Sequence, residues 1–243
     1  MLALDSDLGV ETGDSVKHVI ALSGGKDSTA LALRLAEVEP GDYTYVCTPT
    51  GNELPEMFAH WRKLGDLLGK PLTPIMHTTG LHGLCRDQKM LPNFRARFCT
   101  RLLKIVPYRI WLAANTPCVS YVGLRADEEG RAGGAYDDIP GVEMRFPLRE
   151  WGWDKAKVIG YLAEREVTIP KRTDCAICYH QQIGEWWDLW HDYPEEWAAG
   201  EALEAEIGAT MRSPGRDTWP VAMKDLRLTK GRKLCFCGSV EWP

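Results

Sequence analysis

Ser23-Gly24-Gly25-Lys26-Asp27-Ser28-Thr29 follows the apolar run His18-Val19-Ile20-Ala21-Leu22 and leads into Ala30-Leu31-Ala32-Leu33-Arg34-Leu35-Ala36. The first run reads as a buried strand and the last as a strong helix former. Strand, glycine turn and helix in that order aim free backbone N–H groups at an anion. Gly24 and Gly25 let the backbone approach a phosphate closely. Lys26 adds a point charge, and Ser28 and Thr29 add hydroxyl donors. The spacing is not that of the Gly-x-x-x-x-Gly-Lys-Ser/Thr phosphate loop.

Working outward, Asp42 to Cys47 reads as a second strand after the Pro40-Gly41 turn. Thr48 to Glu56 is a loop into a helix that runs to about Leu68, where Gly69-Lys70-Pro71 stops it, and Leu72 to Met76 is a short third strand. This βαβαβ order implies a parallel sheet whose ligands sit at the carboxyl ends of its strands. Gly80 to Phe98 reads as a short helix and loop. Cys99 to Ala114 reads as a helix kinked at Pro107. Val119 to Leu124 is another buried strand, Arg145 to Leu148 a short extended piece, and Asp154 caps a helix to Glu166. The expected fold is α/β, a doubly wound and mostly parallel sheet followed by a mainly helical, cysteine-bearing C-terminal part.

The 243 residues carry a net charge of −5, so the chain has no global basic footprint, and a nucleic-acid acceptor would need a local basic patch. No apolar run approaches a membrane span. Met1 to Val16 holds acidic residues and no basic n-region, so it reads as a mobile lead-in and a cytoplasmic location is expected. The eight cysteines in a chain of this length do not read as a disulfide scaffold. Trp186, Trp190 and Trp197 stand at near-helical spacing and read as a core stripe.

The Ser23–Thr29 stretch resembles the pyrophosphate (PP) loop, Ser-Gly-Gly-x-Asp-Ser, of the ATP pyrophosphatase superfamily. Further segments resemble its phosphoadenylyl sulfate (PAPS) reductase-like branch. Thr50-Gly51-Asn52-Glu53-Leu54-Pro55-Glu56 is similar to that branch's Asp-Thr-Gly motif and following Pro-Glu pair, with Pro49 in place of the aspartate. Cys99 to Pro107 resembles its Cys-x-x-x-(Arg/Leu)-Lys-x-x-Pro helix, Gly123-Leu124-Arg125 its Gly-Ile-Arg loop, and Pro147-Leu148 with Trp151 its Pro-Leu-x-x-Trp segment. The resemblance spans about Lys17 to Ile207. From Pro170 on the composition shifts to loops, cysteines and many of the ten tryptophans, so the chain is expected to divide into a lead at 1–16, a nucleotide-binding domain at 17–170, and a C-terminal part at 171–243 with a cysteine metal or redox motif.

Arg97, Arg101 and Lys104 recur at i, i+4 and i+7, which predicts one basic helix face, with Arg95, Arg109, Arg125 and Arg131 able to join it from nearby loops. Arginine grips phosphate or sulfate through paired hydrogen bonds. Cys175-Ala176-Ile177-Cys178 and Cys235-Phe236-Cys237 have spacings that suit zinc or iron–sulfur ligation. Cys47 and Cys118, inside apolar runs, read as buried free thiols. In adenylyl sulfate reductases a Cys-Cys pair on the basic helix joins a distal Cys-x-x-Cys around a 4Fe–4S cluster. Here Phe98 replaces the first member of that pair. The resemblance therefore implies Cys99, Cys175 and Cys178 as ligands, with the fourth from Cys235 or Cys237. The competing arrangement is zinc on Cys175, Cys178, Cys235 and Cys237.

The expected function is ATP-dependent adenylation of an acceptor with pyrophosphate release, then sulfur transfer to a nucleic acid or a metabolite. Ser23, Gly24, Gly25, Lys26, Asp27, Ser28 and Thr29, with Thr50, Gly51, Gly123 and Arg125, would bind the nucleotide. Lys26, Arg101, Lys104 and Arg125 would neutralise phosphoryl charge, and Asp27 would help hold Mg²⁺. A sulfur donor protein or thioredoxin would be a partner. Two alternatives stand beside it: a reductase of adenylyl or phosphoadenylyl sulfate with Cys237 as nucleophile, and a nucleotide-binding interaction module without turnover.

Overall fold

In the computed structural model, residues 16–131, 136, 138–215 and 217–229 are described, and Cys235 and Cys237 fall outside them. His18 to Ala21 belongs to β1 (Lys17–Ala21), and α1 (Lys26–Val38) follows one short turn later. The chain continues through β2 (Tyr43–Cys47), α2 (Pro55–Leu67), β3 (Thr73–Pro74) and α3 (Gly80–Gln88). Next come α4 (Phe98–Thr100), a π-helical turn (Arg101–Ile105), α5 (Val106–Ala113) and β4 (Cys118–Tyr121). After β5 (Val142–Arg145), α6 (Pro147–Glu150) and α7 (Lys155–Glu164), three helices close the described chain: α8 (Ile183–Asp192), α9 (Pro194–Ile207) and α10 (Met223–Leu228).

The five strands run in the order β3-β2-β1-β4-β5, and every pairing is parallel. Alternate residues sort to opposite faces, as the pleat requires. Ile20, Leu22, Tyr43, Tyr45, Val119 and Tyr121 share a core with α1 and α7, whereas Val19, Val46 and Cys118 share one with α5. The expected doubly wound α/β sheet is therefore present. Its first three strands step one way from β1 and its last two step the other. The loops leaving β1 and β4 diverge, and that switch point is where such sheets bind ligands.

Three expectations need correction. The kinked helix over Cys99–Ala114 contains a π turn in which the Val106 N–H bonds the Arg101 carbonyl. Pro107 has no N–H for the Leu103 carbonyl and its ring crowds that carbonyl, so the ladder widens by one residue just before it. The third strand covers only Thr73–Pro74, since Pro74 cannot extend the edge ladder. The extended piece placed at Arg145–Leu148 is instead the end of β5, which begins at Val142, and Pro147 opens α6. The Asp154 cap is present: its side chain accepts the Lys157 N–H, and α7 runs to Glu164.

A third core draws on both halves of the chain. Leu54, Leu81, Leu84, Phe98 and Leu103 pack with Ala176, Ile177, Trp186, Trp197, Leu203 and Met223. Trp186 and Trp197 are buried in it, as a core stripe should be. No helix among the described residues is long and apolar enough to cross a membrane.

Candidate functional site

α1 begins without a side-chain cap, its N-cap being Gly25 in extended conformation. The first N–H groups of a helix have no intrahelical partner. Those of the Lys26–Ser28 turn are thus available to an anion at the carboxyl edge of β1. The turn is braced from behind. Ser23 Oγ and Ser28 Oγ lie 3.0 Å apart, and Ser28 Oγ donates to the Gly25 carbonyl at 3.1 Å. From α2, Trp61 Nε1–H donates to the Ser23 carbonyl at 3.0 Å, and His60 Nε2 lies 2.9 Å from the Gly24 carbonyl. Burial pushes the His60 pKa down, so the ring is held neutral and able to donate there. Gly24 has φ +87°, and a Cβ on it would stand 2.6 Å from Trp61 Nε1. The sequence reading passed over His60 and Trp61, which carry no motif of their own.

Asp27 is the charged centre of the turn. Its Oδ2 receives Lys26 Nζ at 2.8 Å and Arg125 Nη1 at 2.9 Å. Its Oδ1 is buried and has no hydrogen-bond partner among the described residues. Arg125 also binds Asp127 at 2.8 Å, and that bond heads the causes raising its pKa. The Arg125 guanidinium therefore backs Asp27. Gly123 makes this contact feasible, because a Cβ there would stand 3.1 Å from the backbone of Asp27 and Ser28.

The Thr50-Gly51 turn is closed by its own chain. Glu53 Oε1 accepts Thr50 N–H and Oγ1–H, each at 2.7 Å, and Oε2 accepts the Gly51 N–H at 3.0 Å. A carboxylate is thus present in this loop although Pro49 stands at the aspartate position. With its hydrogen committed to Glu53, Thr50 Oγ1 accepts from the Cys175 thiol 3.2 Å away.

A cavity of about 140 Å³ opens beside the loop, lined by Ser23, Cys47, Thr48, Lys104, Tyr108 and Val122 among others. Burial pushes the Cys47 thiol up to about 12, so it is an inert wall. The expected common face of Arg97, Arg101 and Lys104 is not formed. Arg97 precedes the helix with φ −84° and ψ 42°, and the wide π turn separates the other two. Lys104 is half-buried against the cavity, while Arg101 is exposed. Nor do all the neighbouring arginines join them. Arg109 pairs with Asp138 at 2.6 Å and Arg131 with Glu128 at 2.6 Å. Arg95 is exposed, its guanidinium 5.4 Å from the Phe94 ring.

Behind Lys104 lie thiols. Burial raises the Cys175 pKa, and the Lys104 charge is the first influence opposing it. Cys99 and Cys178 are both partly buried and free of disulfide bonds. Cys85, which the sequence reading did not single out, is wholly buried among the same residues, and burial holds its thiol up at about 12. No group of three His, Cys, Asp or Glu among the described residues converges on a single metal ion. Cys47 and Cys118 are buried free thiols, as expected from their strands. The nucleophile of the reductase alternative, Cys237, lies outside the described residues.

No protein-family model matches the chain, and no curated protein matches it. Among solved structures it is similar to the PAPS reductase of Candida auris in a phosphate complex. The identity is 13%, over 64% of this chain and 76% of that one, with a TM-score of 0.49. It is also similar to a predicted subunit of tRNA methyltransferase from Methanocaldococcus jannaschii. There the identity is 14%, over 62% of this chain and 75% of that one, with a TM-score of 0.43. At these values neither likeness bears on what the site does, which is decided by its own residues.

Proposed function

We propose that the chain is an enzyme that binds ATP at the Ser23–Thr29 turn, adenylates an acceptor with release of pyrophosphate, and supports sulfur transfer to that acceptor. The observation that carries this reading is the uncapped start of α1 at the switch point of a parallel sheet, with Lys26 beside it. The motif resemblance to PAPS reductase-like PP-loop proteins points the same way. The phosphates lie along the open N–H groups, and the base enters the cavity beside Ser23 and Val122.

In the first step an acceptor oxygen attacks the α-phosphorus. The bond from that phosphorus to the α–β bridging oxygen breaks, and pyrophosphate leaves with the electron pair. Lys26 and Lys104 balance the charge that builds on the phosphoryl oxygens, and exposed Arg101 meets the incoming acceptor. In the second step hydrosulfide, released by a sulfur donor, attacks the acceptor carbon. The carbon–oxygen bond breaks, and AMP leaves. Arg125 acts through Asp27 as a positioning residue. The orphaned Asp27 Oδ1 fits one ligand of a Mg²⁺ whose remaining ligands would be phosphate oxygens and water. That ion would shield charge on the nucleotide.

The test is pyrophosphate release from ATP in the presence of nucleic-acid and small-molecule acceptors, alongside calorimetric binding of ATP. Release that depends on an acceptor and disappears in Lys26→Ala supports the reading. ATP binding without release, for every acceptor tried, would make the chain a nucleotide-binding module. No ATP binding at all would remove the proposal.

A further inference from the structure

The segment between α3 and α4 is anchored at both ends and exposed in its middle. Leu91 and Phe98 are buried in the third core, and Ala96 packs against it. Between them the chain reverses on itself. The Asn93 N–H donates to the Ala96 carbonyl at 3.2 Å, and the Ala96 N–H donates back to the Asn93 carbonyl at 3.1 Å. Asn93 Oδ1 accepts the N–H groups of Arg95 and Ala96, each at 3.0 Å. Phe94 and Arg95 are thus the two residues at the tip of a braced turn. Phe94 is 62% exposed, and the Arg95 guanidinium stands 5.4 Å from its ring. A single exposed ring is ordinary on a protein surface; the charge around this one sets it apart.

Most described arginines hold a carboxylate, as Arg86, Arg109, Arg145 and Arg165 do. Arg95, Arg97 and Arg101 are exposed and have no carboxylate partner among the described residues, and neither has Lys104. Arg97 lies against the Tyr179 hydroxyl, a neutral group that leaves its charge standing. In a chain of net charge −5 these cations are gathered in one stretch. They follow in chain order from the turn tip to Lys104, which lines the cavity beside Ser23. An unbalanced row of cations complements a row of phosphates. A ring flanked by arginine complements the face of an unpaired base. In a duplex the base faces lie on one another, so the ring selects for a single strand.

We propose that the Asn93–Ala96 turn, with Arg97 and Arg101, is a docking surface for single-stranded nucleic acid. An unpaired base stacks on Phe94, and the phosphates follow Arg95, Arg97 and Arg101 toward Lys104. Arg95 serves both parts: its charge meets a phosphate, and its guanidinium beside the Phe94 ring widens the stacking platform. The brace from Asn93 holds the tip in place before the strand arrives, so little ordering is left for binding to impose. An acidic polypeptide would satisfy the charges but leave the ring without a role. The binding itself is independent of the nucleotide reading; only the strand's part as acceptor rests on that reading.

The experiment titrates the full chain into labelled single strands of DNA and RNA, a blunt-ended DNA duplex and a strand of abasic sites, reading fluorescence anisotropy at several salt concentrations. Wild type should bind the intact strands roughly tenfold or more tighter than the duplex or the abasic strand. Phe94→Ala should weaken the intact strands by about 5- to 150-fold, the range of one base on one ring. The same variant should keep wild-type affinity for the abasic strand and for ATP, with unchanged circular dichroism, and Phe94→Trp should restore binding. Arg95→Ala/Arg97→Ala should flatten the slope of log affinity against log salt by about 1.4, the share of two phosphates. Either sugar supports the proposal, and the tighter of the two strands shows which one the surface prefers. Equal affinity for intact and abasic strands overturns it, leaves the surface to an acidic polypeptide and needs no variant. Absence of single-strand binding, or a Phe94→Ala protein with wild-type affinity for intact strands, overturns it too. Strand binding by a chain that binds no ATP would sink the adenylation reading alone. Pyrophosphate release with a small-molecule acceptor and no strand binding would sink this inference alone.

Discussion

Asp27 stands inside the first turn of a helix that offers its N–H groups to phosphate, where its own negative charge opposes an incoming anion. Lys26 and Arg125 offset that charge on one oxygen, and the other is left for a cation. Asp27→Asn should therefore bind ATP at least as well as wild type without Mg²⁺ and lose the gain that Mg²⁺ gives wild type. Calorimetry with and without the metal measures both. Lys26→Ala should weaken ATP binding by about 1–3 kcal/mol, the range of a charge-assisted contact. Gly123→Ala pushes a methyl against the Asp27–Ser28 backbone, so nucleotide affinity should fall more than tenfold, about 1.4 kcal/mol. The Ser23–Thr29 residues were legible in the sequence because a phosphate turn needs particular residue types at fixed spacing. His60 and Trp61 were not. They stand on α2 with no motif of their own, and only tertiary packing brings them to the carbonyls of Gly24 and Ser23.

The basic helix shows how one residue can redirect an element. Its composition and its Pro107 were legible, but a kinked α-helix and a π turn answer the same missing N–H in different ways. The choice between them decides which side chain enters the cavity. Pro107→Ala restores the donor, and the ladder should close to regular α spacing. Melting temperature should then rise, while ATP affinity falls because Lys104 turns away from Ser23. Retained affinity in a stabilised variant would show that the turn does not matter. The sheet edges were misread for a related reason. β3 is cut short by proline, and β5 reads Val-Glu-Met-Arg, too polar to stand out as a buried strand.

Arg145 at the end of β5 fastens three elements, bonding Glu39 at the end of α1 at 2.8 Å and Glu150 of α6 at 2.5 Å. Its hydrogen bond holds the Glu39 carboxyl below the ordinary range. A carboxylate with a lowered folded-state pKa stabilises the fold above its unfolded value, about 4.3. That contribution is lost as pH falls through the folded value. It is small, under about 1 kcal/mol, because the pair is partly exposed. Urea midpoints measured from pH 6 down to 3 should show this loss in wild type and not in Arg145→Gln.

At the scale of the molecule, the sequence divides near residue 170 by composition, yet the third core crosses that point. Asn52 holds the crossing together. Its carbonyl accepts the Ala176 N–H at 2.6 Å, its Oδ1 accepts the Ile177 N–H at 3.3 Å, and its Nδ2 donates to Glu196 at 3.1 Å. Asn52→Ala should cost roughly 2–4 kcal/mol, since it leaves buried groups unpaired. A chain ending at 170 should bind a hydrophobic dye and lack a cooperative thermal transition, because Leu54, Leu81 and Leu103 lose their cover. The parallel sheet was legible from strand and helix order alone. The way the cysteine-bearing part closes over the Thr50 loop was not, because pairings that distant leave no local pattern.

The same stitch sets a timetable for synthesis. Asn52 and Ile177 are 125 residues apart in the chain. At about 5–20 residues per second, the ribosome needs roughly 6–25 s to deliver the second after the first. Through that interval the nascent phosphate turn has its own strand and helix, but the apolar side chains of α3 lack the C-terminal half of their core. The chain must spend those seconds shielded from its neighbours, and slowed translation past residue 100 should raise its aggregation in proportion to the delay.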